Sequence, residues 1–468
     1  MPKKTIKKEK KALPNQPAKP IAPKSKSGQL HILKGMKDVL PADQIYWDFV
    51  IDKVRALASD YGYARIITPV LEQTDLFMRS VGRETDIVEK EVYSFADKSG
   101  ENVTMRPEMT ASVARAYNEH GFLAMPQPVK VFYYGPFWRY NRPQSGRYRQ
   151  FWQIGFEVLG EEHPVIDSQL IFLAYKFCEE LGLKVNVQVN SIGCPSCRND
   201  FRQVLLDYYR SKRKNLCEDC KRRMSKNPLR LLDCKEPGCQ EAAQDSPQIV
   251  DYLCEECRDH FVKVLEYLDS LEIVYSLNPR LVRGLDYYTR TTFEIWPDTD
   301  SLTAQSTIGG GGRYDNLVEN VGGRPTAAAG FACGLERIIL LLKENKVQIP
   351  SLPKPDIFLA QLGVTARKET LKLFEKFRQE KIRVAEDFSE DSIKEQLSKA
   401  SKLGAKFSII LGQKEILDGT ILIRDMENGI QEVVDANKII PEIKKRLEKL
   451  AEEQVGNNNQ TPITENNV

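Results

Sequence analysis

Two periodicities divide the chain. Apolar residues at three- and four-residue spacing, from Tyr46 and Phe49 through Val50, Val54, Leu57, Ala58 and Tyr61, predict an amphipathic helix ended by Gly62. ARIITPVLE then reads as one strand, with Pro69 confining it to a sheet edge or an interface. VTMRPEMTASVARAY predicts a strand stopping at Arg106-Pro107-Glu108 and a helix starting near Thr110, because Pro107 forces its predecessor out of the helical region. Residues 137–160 open and close with alternating apolar and aromatic positions, which predicts two strands around a polar loop turned by Pro143 and Gly146. A helix over 165–182 closed by Gly182 and an alternating strand, VNVQVNSIG, follow. Farther on, AAAGFACGLERIILLL reads as a strand entering a buried helix. Beyond the Pro-rich 351–356, the short apolar runs DIFLAQLG, IRVAED, FSIILG and TILIRD alternate with charged helical segments. That alternation predicts a parallel or mixed α/β domain.

A length of 468 residues exceeds one core and calls for two or three domains. The net charge is +3, from 68 basic and 65 acidic residues, so contact with nucleic acid must come from local patches. No apolar run approaches the roughly 20 residues of a membrane helix, and no apolar core near the N-terminus reads as a secretory signal. The expectation is a cytoplasmic protein with reduced thiols and no membrane association. Residues 1–28, rich in Lys, Pro and Ala, and 452–468, polar and Asn-rich, read as disordered tails.

Eight of the ten cysteines lie between Cys194 and Cys257, as the pairs Cys194/Cys197, Cys217/Cys220, Cys234/Cys239 and Cys254/Cys257. A Cys-x-x-Cys turn aims both sulfurs at one tetrahedral ion, so four pairs supply ligands for two structural Zn2+ ions. Four pairs can be matched in three ways, and spacing does not choose among them. The competing readings are reduced thiols packed as small hydrophobes and redox-active dithiols.

The hairpin loop carries Arg139, Arg142, Arg147 and Arg149, and guanidinium is the group that meets phosphate with a planar fork. Alternation on the return strand puts Gln153 and Glu157 on one face. In NPRLVRGLDYYTRTTFEIW, Arg283 sits beside Gly284, and Tyr287 and Tyr288 point to opposite sides if the segment is extended. The run Gly309 to Gly312 lacks both the Gly-Lys-Ser/Thr of a phosphate loop and the Rossmann spacing, which leaves close backbone packing beside a ligand as its use. His31, His120, His163 and His260 all fall outside these stretches, which argues against a histidine base.

Arg139 followed by Pro-Gln-x-Gly-Arg-Tyr-Arg-Gln-Phe resembles the motif 2 hairpin of class II aminoacyl-tRNA synthetases in its histidyl form. LVRGLDYYTRTTFEI looks like the signature of histidyl-tRNA synthetases and their close paralogues. GLERIILLL is similar to motif 3, and the helix and strand around Pro69 to motif 1, the dimer-forming element. The resemblance runs from about residue 30 to 450 and implies an α+β fold, a class II antiparallel sheet flanked by helices, with a Cys-rich insertion and a C-terminal α/β anticodon-binding domain. The expected partition is catalytic core over 29–185 and 273–348, insertion over 186–272, linker over 349–356 and anticodon-binding domain over 357–451.

By the same resemblance, Arg139 and Arg283 flank the α-phosphate and the substrate carboxylate, and Arg337 meets the γ-phosphate and adenine, with Mg2+ bridging the phosphates of ATP. Glu108, Met109, Thr110 and Gln153 fall in the segments that hold the amino group. Glu157 and Tyr288 would read the imidazole, with Tyr287 and Tyr314 lining its pocket. Met109 stands where a small residue is commoner, and Asn141 where glutamate is frequent. The implied partners are L-histidine, ATP, tRNA(His) and a second copy of the chain. A rival is the non-catalytic synthetase-like subunit of histidine biosynthesis, which typically lacks the C-terminal domain and erodes the arginines. A second is a zinc-dependent nucleic-acid-binding protein with a vestigial core.

Overall fold

The computed structural model describes residues 30–82, 85, 87–143, 146–298, 307–351 and 353–458. They form two compact units that part between Pro350 and Ser351. In chain order the first unit holds β1 (Ala64–Arg65), β2 (Leu71–Gln73), β3 (Tyr93–Ala96), β4 (Asn102–Met105), β5 (Val129–Trp138) and β6 (Gln150–Leu159). After these come β7 (Val185–Ser191), β8 (Tyr275–Leu277), β9 (Thr289–Pro297), β10 (Gly309–Arg313) and β11 (Ala328–Gly334). Eight of these strands build one sheet in the order β1-β5-β6-β11-β10-β9-β7-β8, antiparallel except for the edge pairs β1–β5 and β7–β8.

Strand alternation assigns the sheet's two faces. Ile154, Phe156 and Val158 of β6, with Phe293 and Phe331, pack against helices Pro41–Asp60, Val165–Glu180 and Leu335–Glu344 through Val54, Ile171 and Ile338. Phe156 stacks on Phe331 with ring centroids 5.2 Å apart. The opposite face carries Tyr133, Tyr287, Tyr288 and Tyr314, whose cluster continues into Phe201, Leu205 and Tyr209 of the cysteine-bearing segment. The candidate site lies on that second face.

One expectation is corrected here. ARIITPVLE is not one strand: β1 ends at Arg65 in the large sheet, and β2 begins at Leu71 in a small sheet ordered β2-β4-β3. Pro69, which has no N–H to give a ladder, lies in the gap. The carbonyls of Thr68 and Pro69 accept instead from the Arg106 guanidinium, at 2.8 and 3.4 Å. Val185–Ser191, which reaches into the stretch expected from 186 to be the Cys-rich insertion, is a full strand of the large sheet paired with β9.

The second unit contains β12 (Ile357–Gln361), β13 (Val384–Glu386), β14 (Phe407–Leu411), β15 (Thr420–Asp425) and β16 (Gln431–Asp435), in the order β13-β12-β14-β15-β16. The first three run parallel and the last two join antiparallel, so the sheet is mixed. Its own core joins Leu359, Ile409 and Ile423 to Phe377 and Ile443 of the covering helices. β16 went unforeseen because QEVVD is polar and mostly exposed. The last helix, Ile439–Asn458, extends into the stretch read as a tail from 452, held by Leu447 and Leu450 against that core. The rest of that stretch, and 1–28, lie outside the described residues. Among the described residues no helix is long and apolar enough to cross a membrane.

Candidate active site

A cavity of about 320 Å³ opens between the hairpin loop, the 283–288 segment and the start of helix Leu335–Glu344, and Arg139, Arg147, Arg283 and Arg337 all line it. Three distant stretches thus deliver their guanidiniums to one space. Arg139 leaves the end of β5, donates from Nε to the carbonyl of Pro107 at 2.9 Å, and lies 5.3 Å from the centroid of Phe151. Arg283 pairs through Nη1 with Glu294 on β9, while its buried Nε has no partner among the described residues. Gly310 makes room for it: a Cβ there would stand 2.8 Å from Nη1 of Arg283 and 2.5 Å from the carbonyl of Phe293. The glycine run, expected to pack its backbone beside a ligand, packs here against Arg283. Arg337 donates from Nη1 to the carbonyl of Thr307.

The charges are not neutralised among themselves. Burial, together with Arg147 and Arg139 nearby, pulls Arg337 down to about 10, and burial also lowers Arg139. Burial acts the same way on Arg283, but Tyr288 and Glu294 outweigh it and its pKa is raised. Mutual repulsion of this kind is relieved by a bound polyanion. The remaining loop arginines do not join the group: Arg142 is exposed and Arg149 stacks 3.7 Å over the ring of Tyr140.

Beneath the lining at the other end lies a buried carboxylate. Glu157, on the same face of β6 as Gln153, accepts from Thr110 Oγ1 at 2.9 Å, from Tyr133 at 3.0 Å and from Tyr314. Burial pushes its pKa up to about 8 even though these hydroxyls oppose the rise. Gly330 faces it across the β6–β11 pair, and a Cβ at that position would fall 1.8 Å from its Oε2. Glu108 lines the cavity and caps helix Thr110–Glu119, accepting from the backbone N–H of Thr110 at 2.7 Å and Ala111 at 3.0 Å. Its pKa is raised by burial.

Glu108, Thr110, Gln153, Tyr287 and Tyr288 line the cavity, with Asn141 at its hairpin side. Glu157 and Tyr314 lie beneath that lining, and Met109 is buried in the core cluster with Val113 and Tyr117. The tyrosine geometry differs from the extended reading. Residues 284–287 turn, so the rings of Tyr287 and Tyr288 sit side by side at 4.7 Å, with Tyr314 at 5.5 and 6.3 Å.

Sequence reasoning missed Tyr133, Glu294 and Glu336. Glu294 is the lone charge in the apolar run of β9 and could have been suspected. Tyr133 is visible only with the register, which sets it opposite Gly155, whose missing side chain leaves space for the ring. Glu336 accepts from the backbone N–H of Trp152 at 2.9 Å, and burial raises it to about 7.

The cysteines gather into two groups, Cys194/Cys197/Cys254/Cys257 and Cys217/Cys220/Cys234/Cys239, each with all sulfurs within 4.8 Å of one another. Of the three possible matchings, the fold selects the nested one. Cys194, Cys217 and Cys254 each stand at the position just before a helix, and Cys217 Sγ accepts there from the backbone N–H of Cys220. The 3.6 Å between the sulfurs of Cys194 and Cys197 and the 3.9 Å between those of Cys217 and Cys234 match the edge of about 3.8 Å of a tetrahedron with Zn–S bonds of about 2.3 Å. Cys178 and Cys333 are buried apart from both groups.

A family model described as histidyl-tRNA synthetase matches residues 35–338, and one described as anticodon binding domain matches 356–446. The histidine–tRNA ligase of Pelotomaculum thermopropionicum is 45% identical over 415 residues, 88% of this chain and 97% of that protein. Its counterpart in Dehalococcoides mccartyi is 46% identical over 415 residues, 88% of this chain and 99% of the other. Among solved structures, the apo histidyl-tRNA synthetase of S. aureus matches with a TM-score of 0.75 at 33% identity, over 89% of this chain and 100% of that one. A Bacillus halodurans chain described as an ATP phosphoribosyltransferase regulatory subunit/histidyl-tRNA synthetase reaches 0.60 at 20% identity, over 83% and 100%, and shares the fold.

Proposed function

The chain belongs to the histidyl-tRNA synthetase family, and we propose that it activates L-histidine with ATP and transfers it to the 3′ end of tRNA(His). The observation that carries this reading is the convergence of Arg139, Arg283 and Arg337 on one cavity beside a buried carboxylate ringed by hydroxyls.

The first step needs no strong base, since the carboxylate of histidine is already a nucleophile. One of its oxygens bonds to the α-phosphorus of ATP, the bond from that phosphorus to the β-bridging oxygen breaks, and diphosphate leaves with the electron pair. Negative charge shifts onto the α-phosphoryl oxygens and the leaving group, where fixed guanidiniums act most strongly. Arg139 and Arg283 serve the α-phosphate and the carboxylate, and Arg337 the far phosphates and adenine. The lining carboxylates Glu294 and Glu336 would hold the Mg2+ bound with ATP, which would supply positive charge to its phosphates. Glu108 and Gln153 take the ammonium group. Glu157 faces the imidazole with Tyr288 at its side, and Thr110 and Tyr314 hold Glu157 by their hydroxyls. In the second step the terminal ribose hydroxyl of the tRNA attacks the histidyl carbonyl, and AMP departs.

The cysteine groups fit Zn2+ by donor type, number and spacing, and the ions would tie the helix starts at Cys194, Cys217 and Cys254 together. A homodimer is the assembly this reading favours, because Ile67, Val70 and Leu71 form an exposed apolar row near the sequence similar to motif 1. Its place of work is the cytoplasm, where tRNA is charged.

Incorporation of labelled histidine into tRNA tests the function directly. Charging of tRNA(His) with histidine alone among the amino acids is expected, and a protein that binds histidine without charging tRNA would contradict it. The regulatory alternative is less supported, because the relatives above are named ligases, the second unit is present and all three arginines are retained.

A further inference from the structure

Residues 282–288 carry Arg283, Tyr287 and Tyr288 yet contain no strand or helix. A segment without its own backbone ladder depends on its neighbours for its shape. Some of these lie outside the cysteine-bearing segment, such as the carbonyl of Val81, which accepts from the backbone N–H of Asp286 at 3.1 Å, and Glu294, which pairs with Arg283; others belong to it. Arg198, one residue past Cys197, donates from Nη1 to the carbonyl of Tyr288 at 3.0 Å. Asn227, which ends the helix opened by Cys217, donates from Nδ2 to Asp286 at 2.8 Å. Just beyond Tyr288, the backbone N–H of Arg290 donates to Gly193 at 2.9 Å, and Ile192 donates back to Arg290 at 2.8 Å. Gly193 directly precedes Cys194, and a Cβ on it would lie 2.6 Å from that of Cys197. Both cysteine groups therefore connect to the same seven-residue stretch by different bonds, the first through Arg198 beside Cys197 and the second through Asn227 at the far end of the helix that Cys217 opens.

The phosphate end of the cavity is held otherwise. Arg139 is fixed by Pro107 and Arg337 by Thr307, both outside the cysteine-bearing segment. A change in that segment would therefore reach the tyrosines and Arg283 first.

We propose that Zn2+ at the two cysteine groups templates residues 282–288, with Arg198 as the positioning residue, so that metal loading sets the affinity for the amino acid more than for ATP. The proposal rests on the zinc reading above. Without metal, what joins the sulfurs of each group is weak hydrogen bonding, including that from the backbone N–H of Cys254 to Cys197 Sγ at 3.1 Å and of Cys217 to Cys239 Sγ at 3.2 Å, whereas four Zn–S bonds would fix the helix starts outright.

The test uses the full-length chain. In Arg198→Ala, zinc content measured by atomic emission stays at two ions per chain. Its KM for histidine in pyrophosphate exchange rises about tenfold, the loss of one charge-assisted hydrogen bond, while KM for ATP stays within about twofold. Arg198→Lys, which keeps a cationic donor, recovers part of the histidine affinity. Independently of activity, chelating the zinc speeds hydrogen exchange of the amides in 282–290, and added Zn2+ restores protection. Wild-type protein purified without zinc overturns the metal reading beneath the proposal. Zinc at two per chain with Arg198→Ala indistinguishable from wild type in histidine KM, or with exchange in 282–290 unmoved by chelation, overturns the coupling alone.

Discussion

At Glu157 a carboxyl group sits where the sheet excludes water, and three hydroxyls make the position tolerable. Its folded pKa of about 8 stands far above the value of about 4.3 for an unfolded glutamate. Its contribution to stability is therefore complete below the unfolded value and is lost as pH rises through the folded one. The thermal midpoint of the ligand-free protein is expected to fall between pH 5 and 8, and that of Glu157→Gln to fall less. Parallel pH profiles by calorimetry would contradict the assignment. The same variant should raise KM for histidine by about 10- to 100-fold in pyrophosphate exchange, since an amide cannot give up a proton to pair with the bound ring as the carboxyl group can. Unchanged KM would remove Glu157 from the recognition of the ring. Strand alternation alone put Glu157 and Gln153 on one face. Its hydroxyl partners come from three other segments, and only the fold assembles them.

Elements position these groups by what they omit as much as by what they carry. Gly330 on β11 leaves the volume that Glu157 occupies, and Gly310 on β10 the volume beside Arg283. Gly330→Ala should lower stability by about 1–3 kcal/mol through overpacking, read as a reduced midpoint in denaturant unfolding. An unshifted midpoint would show that the carboxylate can move aside freely. Both glycines thus lie in strands that line the cavity. The sequence made the arginine hairpin, its return strand and the motif 3 helix legible, because alternation and apolar spacing extend over enough residues to be unambiguous. It failed at Pro69, where one apolar run serves two sheets, and at Tyr287 and Tyr288, where a turn replaces an extended segment. Both outcomes depend on partners distant in the chain.

On the scale of the whole molecule, each unit has its own hydrophobic core, which is the usual mark of independent folding. Residues 1–350 alone should keep histidine-dependent pyrophosphate exchange and lose tRNA charging. A fragment that charges tRNA as well as the full chain would remove the second unit from tRNA selection. The nested cysteine matching belongs to this scale too: four Cys pairs in a row permit three arrangements, and only the packing of the helices that carry them chooses one.

The central claim is that Arg139, Arg283 and Arg337 act together on one triphosphate beside an imidazole pocket. ATP–pyrophosphate exchange measured with and without histidine, for the wild type and for each arginine changed singly to alanine, tests it most directly. The account predicts exchange that requires histidine and falls at least about 100-fold in every variant. Exchange that proceeds equally without histidine, or that survives the loss of Arg283, would contradict it.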